Sequence, residues 1–167
     1  YEDEDFKKMF SKVEDIRNAT KIKWPEVNPD NQYVAIYDYK ELIAYGQLRN
    51  VEIIPEIEFP AHMLSAVAAY PWLSCTGLQH EVPVQHFISR DLLCVGKESS
   101  YQFLSDVLDE TVSLFPSHYI NIGGDEAVYD RWKECPKCQE VMKREGLTKA
   151  SDLQGYLTNV VADMMKK

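Results

Sequence analysis

Positive charge is scarce in this sequence. Its 167 residues include 18 lysines and arginines against 27 aspartates and glutamates, which gives a formal net charge of −9. Because a nucleic-acid surface needs clustered basic side chains to meet phosphates, this balance argues against a nucleic-acid partner. Long apolar runs are also absent, and none approaches the roughly 20 residues that a membrane-spanning helix needs. We therefore expect neither nucleic-acid binding nor a membrane span.

Cysteine is rare too, and its four copies form no familiar metal-binding pattern. "CPKC" (135–138) is a single CxxC motif without a second pair or a suitably spaced histidine pair, so we predict free thiols or packing there. "HEVPVQH" (80–86) resembles the HExxH zinc motif, but the spacing differs and Pro83 would break the required helix. The sequence predicts no metal and no cofactor. A small metal-binding module built on Cys135 and Cys138 is the alternative.

The other two cysteines, Cys75 and Cys94, bracket a long irregular stretch. A disulfide between them would close a loop of about 20 residues and stabilise the fold by roughly 3 kcal/mol in the chain-entropy model. Such a bond requires an oxidising compartment. No signal peptide is visible, and the chain begins at Tyr1 rather than Met, so we expect a mature or trimmed product.

Hydrophobic residues make up 45% and charged residues 27% of the chain, an ordinary globular balance. Apolar spacing predicts helices over 2–18, 37–50, 62–70, 98–115, 136–145 and 150–167, buried strands over 51–59 and 118–122, and irregular stretches over 24–32 and 71–97. Helices that alternate with buried strands are typical of a parallel sheet. In such sheets, ligand sites gather beyond the carboxyl ends of the strands.

The stretch "HYINIGGDEAVYDRW" (118–132) places two acids, Asp125 and Glu126, directly after a predicted strand and two glycines. Successive strand side chains point to opposite faces, so neighbouring acids share one cavity only where the strand ends and the backbone turns. Gly123 and Gly124 permit such a turn. Because neighbouring carboxylates resist joint ionisation, one pKa of the pair should rise. The alternative interpretation is a helix N-terminus, where acids meet the dipole favourably.

His62 follows Pro60 and Ala61 at the end of the other predicted strand, which also carries Glu56 and Glu58. A carboxylate paired with the imidazole would fix its tautomer, as catalytic histidines require. A lone histidine at such a place can equally serve as a structural hydrogen-bonding residue. The pattern favours a functional site at this strand end as well.

Two stretches, "IPEIEFPAHMLSAVAAYPWLSCTG" and "YINIGGDEAVYDRWKECPKCQ", together resemble the catalytic barrel of glycoside hydrolase family 20, the β-N-acetylhexosaminidases. The family pattern for the first is close to PEIDxPGH, followed by a small-residue helix and YPxLxC. For the second it is HxGGDE with a tryptophan six residues after the glutamate, here Trp132. This sequence differs at Glu58, Ala61 and Asn121, where the family commonly has Asp, Gly and His. The resemblance runs from about Tyr37 to the C-terminus.

The resemblance implies retaining hydrolysis in which the substrate supplies the nucleophile. Glu126 would protonate the glycosidic oxygen and later activate water. Asp125 would orient the 2-acetamido group, whose oxygen attacks the anomeric carbon to give an oxazolinium intermediate. His62 would support the site beside the acids with Glu56 as its partner, and Trp132 would bind substrate or support the site. The cysteines that bracket the irregular stretch match positions that can be bridged in relatives.

The implied fold is α/β: part of a (β/α)8 TIM barrel with parallel strands and flanking helices over residues 31–167. Residues 1–30 would form an N-terminal helical segment that has no assigned place in the barrel. A complete barrel takes about 250 residues or more, so we expect a fragment of the full enzyme. Such a fragment would expose apolar strand edges, which favours dimerisation or aggregation.

The expected substrate is a glycan or glycoconjugate with a terminal β-linked GlcNAc or GalNAc. The family also implies a secreted, periplasmic or lysosomal location. A function of a different class remains open, namely a catalytically inactive carbohydrate-binding relative. Sugar binding without turnover would distinguish it from the glycosidase.

Overall fold

The computed structural model describes residues 36–82 and 88–166. Contacts between residues divide the chain into two units, Tyr1–Val34 and Ala35–Lys167, and the described residues belong to the second. The predicted helix over 2–18 and the predicted loop over 24–32 lie outside the described residues. The predicted domain boundary after residue 30 therefore stays a prediction.

Helices dominate the described part of the chain. They are α1 (Ile36–Gln47), α2 (Leu64–Ala69), a 3-10 helix (Pro71–Leu73), α3 (Glu98–Leu114), α4 (Asp130–Glu134), α5 (Pro136–Glu145) and α6 (Asp152–Met164). The five helices predicted in this part of the chain are confirmed, with ends displaced by at most a few residues. α5 starts at a proline and ends at a glycine in the left-handed conformation, both of which are typical of helix termini.

The longest helix, α3, shows how spacing selects the buried side. Its buried residues are Ser100, Leu104, Leu108 and Thr111, which recur at intervals of three and four. The apolar side chain of Val112, one residue further along, is instead exposed. Thr111 takes the inward position because its hydroxyl donates to the carbonyl of Val107 (2.7 Å), so that no polar group is left unsatisfied.

The two predicted strands run parallel and touch, but in the described residues they form one bridge, Glu56 to Asn121, rather than a regular ladder. The amide of Ile57 donates to the carbonyl of Asn121 (2.9 Å), and the amide of Asn121 donates to the carbonyl of Pro55 (2.9 Å). The next bond of a parallel ladder would start from the amide of residue 55. Proline has no N–H, so the ladder stops there. The expected parallel direction is confirmed, whereas the expected length of the strands is wrong.

A third extended segment, around Leu93, joins this pair. The amide of Leu93 donates to the carbonyl of Pro60 (3.0 Å), and the amide of Cys94 donates to the carbonyl of Leu73 (2.8 Å). An antiparallel bridge also pairs Ser74 with Leu93. The stretch over 71–97, predicted to be irregular, therefore returns to the core at both ends, and its residues 83–87 lie outside the described part.

The core lies under these segments and against α3, α4 and α6. Its largest fully buried side chains include Trp132, Phe59, Leu73, Leu93, Leu104 and Leu153. The indole of Trp132 donates to the carbonyl of Leu93 (2.9 Å). Several large apolar side chains remain exposed, among them Leu48, Ile54 and Tyr119. No helix within residues 36–82 and 88–166 is both long and apolar enough to cross a bilayer.

Replacing Trp132 with Phe should lower the free energy of unfolding by about 1–3 kcal/mol, because the buried carbonyl of Leu93 would lose its donor. Urea titration measures the change. Trp72→Phe is the matched control: this indole is exposed, and its loss should change stability by less than about 0.5 kcal/mol. Equal effects of the two substitutions would contradict the assigned role of Trp132.

Candidate active site

Four ionisable side chains meet where the two parallel segments end. The imidazole Nε2 of His62 lies 3.2 Å from a carboxylate oxygen of Glu126 and 3.9 Å from one of Asp125. Glu58, four residues before the histidine, approaches the same nitrogen to 3.8 Å. Because parallel strands present their carboxyl ends at one edge, the contact between Glu56 and Asn121 is sufficient to bring these groups together.

Backbone turns aim these side chains at one another. Gly123 and Gly124 both have positive φ, at 58° and 109°, as the turn after the second segment requires. His62 (φ 53°) and Glu126 (φ 52°) also adopt the left-handed conformation. That conformation costs about 1–2 kcal/mol in a residue with a Cβ atom and is concentrated at functional sites. Both residues whose side chains make the closest contact of the cluster are thus held in a strained backbone.

The side chain of Glu58 lies so close to the turn after the second segment that position 123 requires a glycine. A Cβ atom at position 123 would lie 2.6 Å from the Cγ atom of Glu58. A Cβ atom at position 124 would lie 3.0 Å from the side-chain nitrogen of Gln154. The two glycines therefore provide space for side chains as well as the turn itself.

Glu58 and Asp125 shift each other's pKa. Burial, and then the hydrogen bond to Asp125, raise the pKa of Glu58. The hydrogen bond from Glu58 is the main cause that lowers the pKa of Asp125. Of this pair, Glu58 is therefore the carboxyl group that holds a proton more readily. The sequence predicted such a coupling between Asp125 and its neighbour Glu126, but the carboxyl group that couples to Asp125 comes from the other segment.

The sequence predicted that Glu56 pairs with His62, but the carboxylate of Glu56 has a different partner. Its carboxylate accepts a hydrogen bond from the side-chain amide of Asn121, whose own oxygen accepts from the backbone N–H of Gly123 (3.1 Å). Glu56 lies two residues before Glu58, about 6.6 Å further back along an extended chain, so the histidine is reached by Glu58 instead. Asn121, at a position where the family commonly has histidine, thus connects Glu56 to the turn.

Trp132 has no contact with the acids. It is fully buried, lies 5.5 Å from Tyr129 between ring centroids, and bonds to Leu93. Of the two predicted roles, substrate binding is incompatible with this burial, whereas structural support agrees with it. Support also comes from Gln154, which the sequence did not indicate. Its amide donates to the carbonyl of Gly124 (2.5 Å) and accepts from the hydroxyl of Tyr129 (2.6 Å).

The cysteines differ most from the sequence prediction. Cys75 and Cys94 are not joined in a disulfide: both thiols are free, and they meet Cys135 and Cys138 in one cluster. The sequence gives no sign of this meeting, because the two pairs are separated by about 40 residues and converge only through the fold.

Within residues 36–82 and 88–166, two groups of side chains could hold a metal ion. One is the four-cysteine cluster, and the other consists of Glu58, His62 and Asp125, whose donor atoms also lie within 4.8 Å of one another. The second group is open, with the side chain of Asp125 70% exposed.

The pattern that describes the catalytic domain of glycosyl hydrolase family 20 matches residues 3–167. The chain belongs to this family. Among curated proteins, the chain is 38% identical over 139 residues to a β-hexosaminidase of Porphyromonas gingivalis. This match covers 81% of the present chain and 18% of the relative. A β-hexosaminidase of Vibrio furnissii is 38% identical over 130 residues, covering 77% and 21%.

Solved structures of the family resemble the described fold. The β-N-acetylhexosaminidase of Bacteroides fragilis superposes with a TM-score of 0.72 at 34% identity, covering 83% of this chain and 28% of that one. An exo-β-N-acetylglucosaminidase of Vibrio harveyi, solved with N-acetylglucosamine, superposes with a TM-score of 0.68 at 29% identity, covering 80% and 21%. This chain thus spans about a fifth of the length of the curated relatives named above.

Asp125→Asn should lower the pKa of Glu58, because the substitution removes the negative charge of Asp125, which raises that pKa. A 13C NMR titration of the Glu58 carboxyl carbon measures the shift. Glu126→Gln is the control, since Glu126 is not among the groups that raise the pKa of Glu58. A titration of Glu58 that is unaffected by Asp125→Asn would contradict the coupling between these two carboxyl groups.

Proposed function

We propose that the protein removes terminal β-linked N-acetylhexosamine, GlcNAc or GalNAc, from glycans by retaining, substrate-assisted hydrolysis. One observation carries the proposal: the adjacent acids Asp125 and Glu126 both approach the imidazole of His62, at 3.9 and 3.2 Å. Membership of the family and the names of the relatives point to the same substrate class.

Glu126 is the proposed proton donor. Its carboxylate is the group nearest to His62, and its side chain is 43% exposed, so that a glycosidic oxygen can reach it from solvent. In the first step its proton passes to this oxygen while the bond to the anomeric carbon breaks. In the second step the resulting carboxylate accepts a proton from the water that attacks the anomeric carbon.

Asp125 serves the substrate's own nucleophile. The 2-acetamido oxygen attacks the anomeric carbon, and positive charge develops on the acetamido nitrogen. An ionised carboxylate accepts the N–H and stabilises that charge. The hydrogen bond from Glu58 supports this role, because it lowers the pKa of Asp125 and so favours its ionised form. His62, between the two acids, fixes their relative position.

The same family likeness supports a (β/α)8 barrel, of which the described residues form two successive units. The segments over 51–59 and 118–122 would be neighbouring parallel strands, and α3 (Glu98–Leu114) would be the crossover helix between them. The carboxyl end of such strands is the catalytic face of a barrel. The acids and the histidine lie at that end.

A secreted, periplasmic or lysosomal location remains part of the proposal, but with one argument fewer. The predicted disulfide between Cys75 and Cys94 would have required an oxidising compartment, and the free thiols remove this support. Dimerisation through exposed apolar side chains such as Ile54 and Tyr119 likewise stays a prediction.

In the intact protein, Glu126→Gln should lower kcat for an aryl N-acetyl-β-glucosaminide by about 10²–10⁴-fold, because the proton donor is lost. The loss should be greater for substrates with poor leaving groups, which depend more on protonation. Initial rates over a series of aryl leaving groups measure both effects. Glu134→Gln, at an exposed glutamate of α4, is the matched control and should leave the rates unchanged.

Unchanged turnover of Glu126→Gln would remove the assignment of Glu126. A protein that binds N-acetylglucosamine but turns over no substrate would instead support the second candidate function, a carbohydrate-binding relative without catalysis. No observation in the described residues favours that candidate, since the acids and the histidine are all present in contact.

A further inference from the structure

The four cysteines of this chain converge outside the candidate active site. The sulfur of Cys138 lies 3.7 Å from that of Cys75 and 3.7 Å from that of Cys94, which in turn lies 3.8 Å from that of Cys135. All four sulfurs lie within 4.8 Å of one another. They come from three separate stretches of chain, so no local sequence constraint explains why they meet.

The spacing of the sulfurs matches a tetrahedral metal site. With a zinc–sulfur bond of about 2.3 Å, two sulfurs on a regular tetrahedron are about 3.75 Å apart. The three distances above agree with this value to within 0.1 Å. A disulfide bond is far shorter, at roughly 2.05 Å. The arrangement therefore fits four ligands around a common centre better than two pairs of bridged cysteines.

The backbone around two of the stretches is shaped for close approach. Cys135 precedes α5 (Pro136–Glu145) and Cys138 lies in its first turn, so the CPKC motif turns both sulfurs to one side. In the stretch around Cys94, the backbone N–H of Lys97 donates to the carbonyl of Cys94 (3.4 Å). A Cβ atom at Gly96 would lie 2.3 Å from the carbonyl carbon of Lys137. Only a glycine lets these two loops pack together.

The loop that carries Cys75 is tied to the same place. The bridge between Ser74 and Leu93 sets Cys75 beside Cys94. The ammonium group of Lys97 donates to the carbonyls of Trp72 (2.8 Å) and Ser74 (2.5 Å), on either side of the 3-10 turn's end. Such supporting hydrogen bonds orient the ligands in metal sites.

The four thiols of the cluster are largely buried. Cys94 and Cys138 are fully buried, Cys135 is nearly so, and Cys75 is half-buried. Four thiols that lie this close together and are shielded from water offer a metal ion a complete set of soft ligands.

We propose that Cys75, Cys94, Cys135 and Cys138 bind one Zn²⁺ ion in a closed tetrahedral site. Four thiolates leave no open position for water or substrate, so the ion is structural rather than catalytic. Binding replaces the sulfur-bound protons, which are released to solvent, and leaves one zinc bonded to four thiolates. The proposal rests on the cysteines and does not depend on the proposed glycosidase activity.

The zinc site would hold in place the segments that support the acids and the histidine. Cys94 directly follows Leu93. The amide of Leu93 donates to the carbonyl of Pro60, two residues before His62, and the carbonyl of Leu93 accepts from the indole of Trp132. A zinc ion bound to Cys94 would therefore fasten the loop over 73–75 and the start of α5 to the segment that supports the histidine. Loss of the ion should loosen these three stretches together.

The test is elemental analysis of the intact protein, purified without added metal and without a metal-affinity tag. Cys138→Ser should lower the zinc content by about one ion per chain relative to the unmodified protein. Val141→Ala is the matched control: it removes buried volume one turn further along α5 but no ligand, and should keep the ion. Replacement of zinc by cobalt should give the d–d bands of a tetrahedral ion and sulfur-to-cobalt charge-transfer bands.

A second variant covers the case in which Cys138→Ser does not fold. Gly96→Ala keeps all four ligands but pushes the two loops apart, so zinc should be removed by a competing chelator about 10–100-fold more readily. A protein without zinc, whether its four cysteines are bridged or freely reactive in mass spectrometry of alkylated peptides, would overturn the proposal. One equivalent of iron would overturn the choice of zinc.

Discussion

The parallel contact between the segments over 51–59 and 118–122 is the constraint on which the candidate active site depends. Its few backbone hydrogen bonds, from Ile57 to Asn121 and from Asn121 to Pro55, set the register of the two segments. In that register, both chains turn at the same edge. A shift by one residue would move Glu58 to the opposite face and separate it from Asp125.

The register also explains why the electrostatic coupling differs from the simplest expectation. Two acids that are neighbours in sequence point apart unless the backbone turns, and here the turn directs both towards the histidine of the other segment. The closest carboxyl partner of Asp125 is then Glu58, across the pair of segments. A half-buried glutamate keeps its proton more readily than an open aspartate, because burial disfavours the charged form. Environment therefore adds to residue type in setting which of the two acids has the higher pKa.

Leu93 links the cysteine cluster to the edge that carries the candidate active site. Its amide bonds to Pro60 and its carbonyl to Trp132, while the amide of its neighbour Cys94 bonds to Leu73. Three stretches of the chain therefore depend on one short segment. The apolar core alone would hold this region only by packing, which is non-directional. Directional bonds at Leu93, and a metal at the cysteines as we propose, fix the position of the segment that precedes His62. The glycines at 96, 123 and 124 make the required close approaches feasible.

The sequence by itself determined five of the described helices, the direction of the two central segments, and the residues of the family motif, since helical spacing and short motifs are local patterns. It also indicated that His62, Asp125 and Glu126 would gather at strand ends. Only the tertiary structure decided that Glu58 rather than Glu56 reaches the histidine, that Trp132 is buried, and that the four cysteines meet. These outcomes depend on register and on contacts between residues far apart in the chain. Spacing along a sequence cannot encode such contacts, because they arise when separate elements pack.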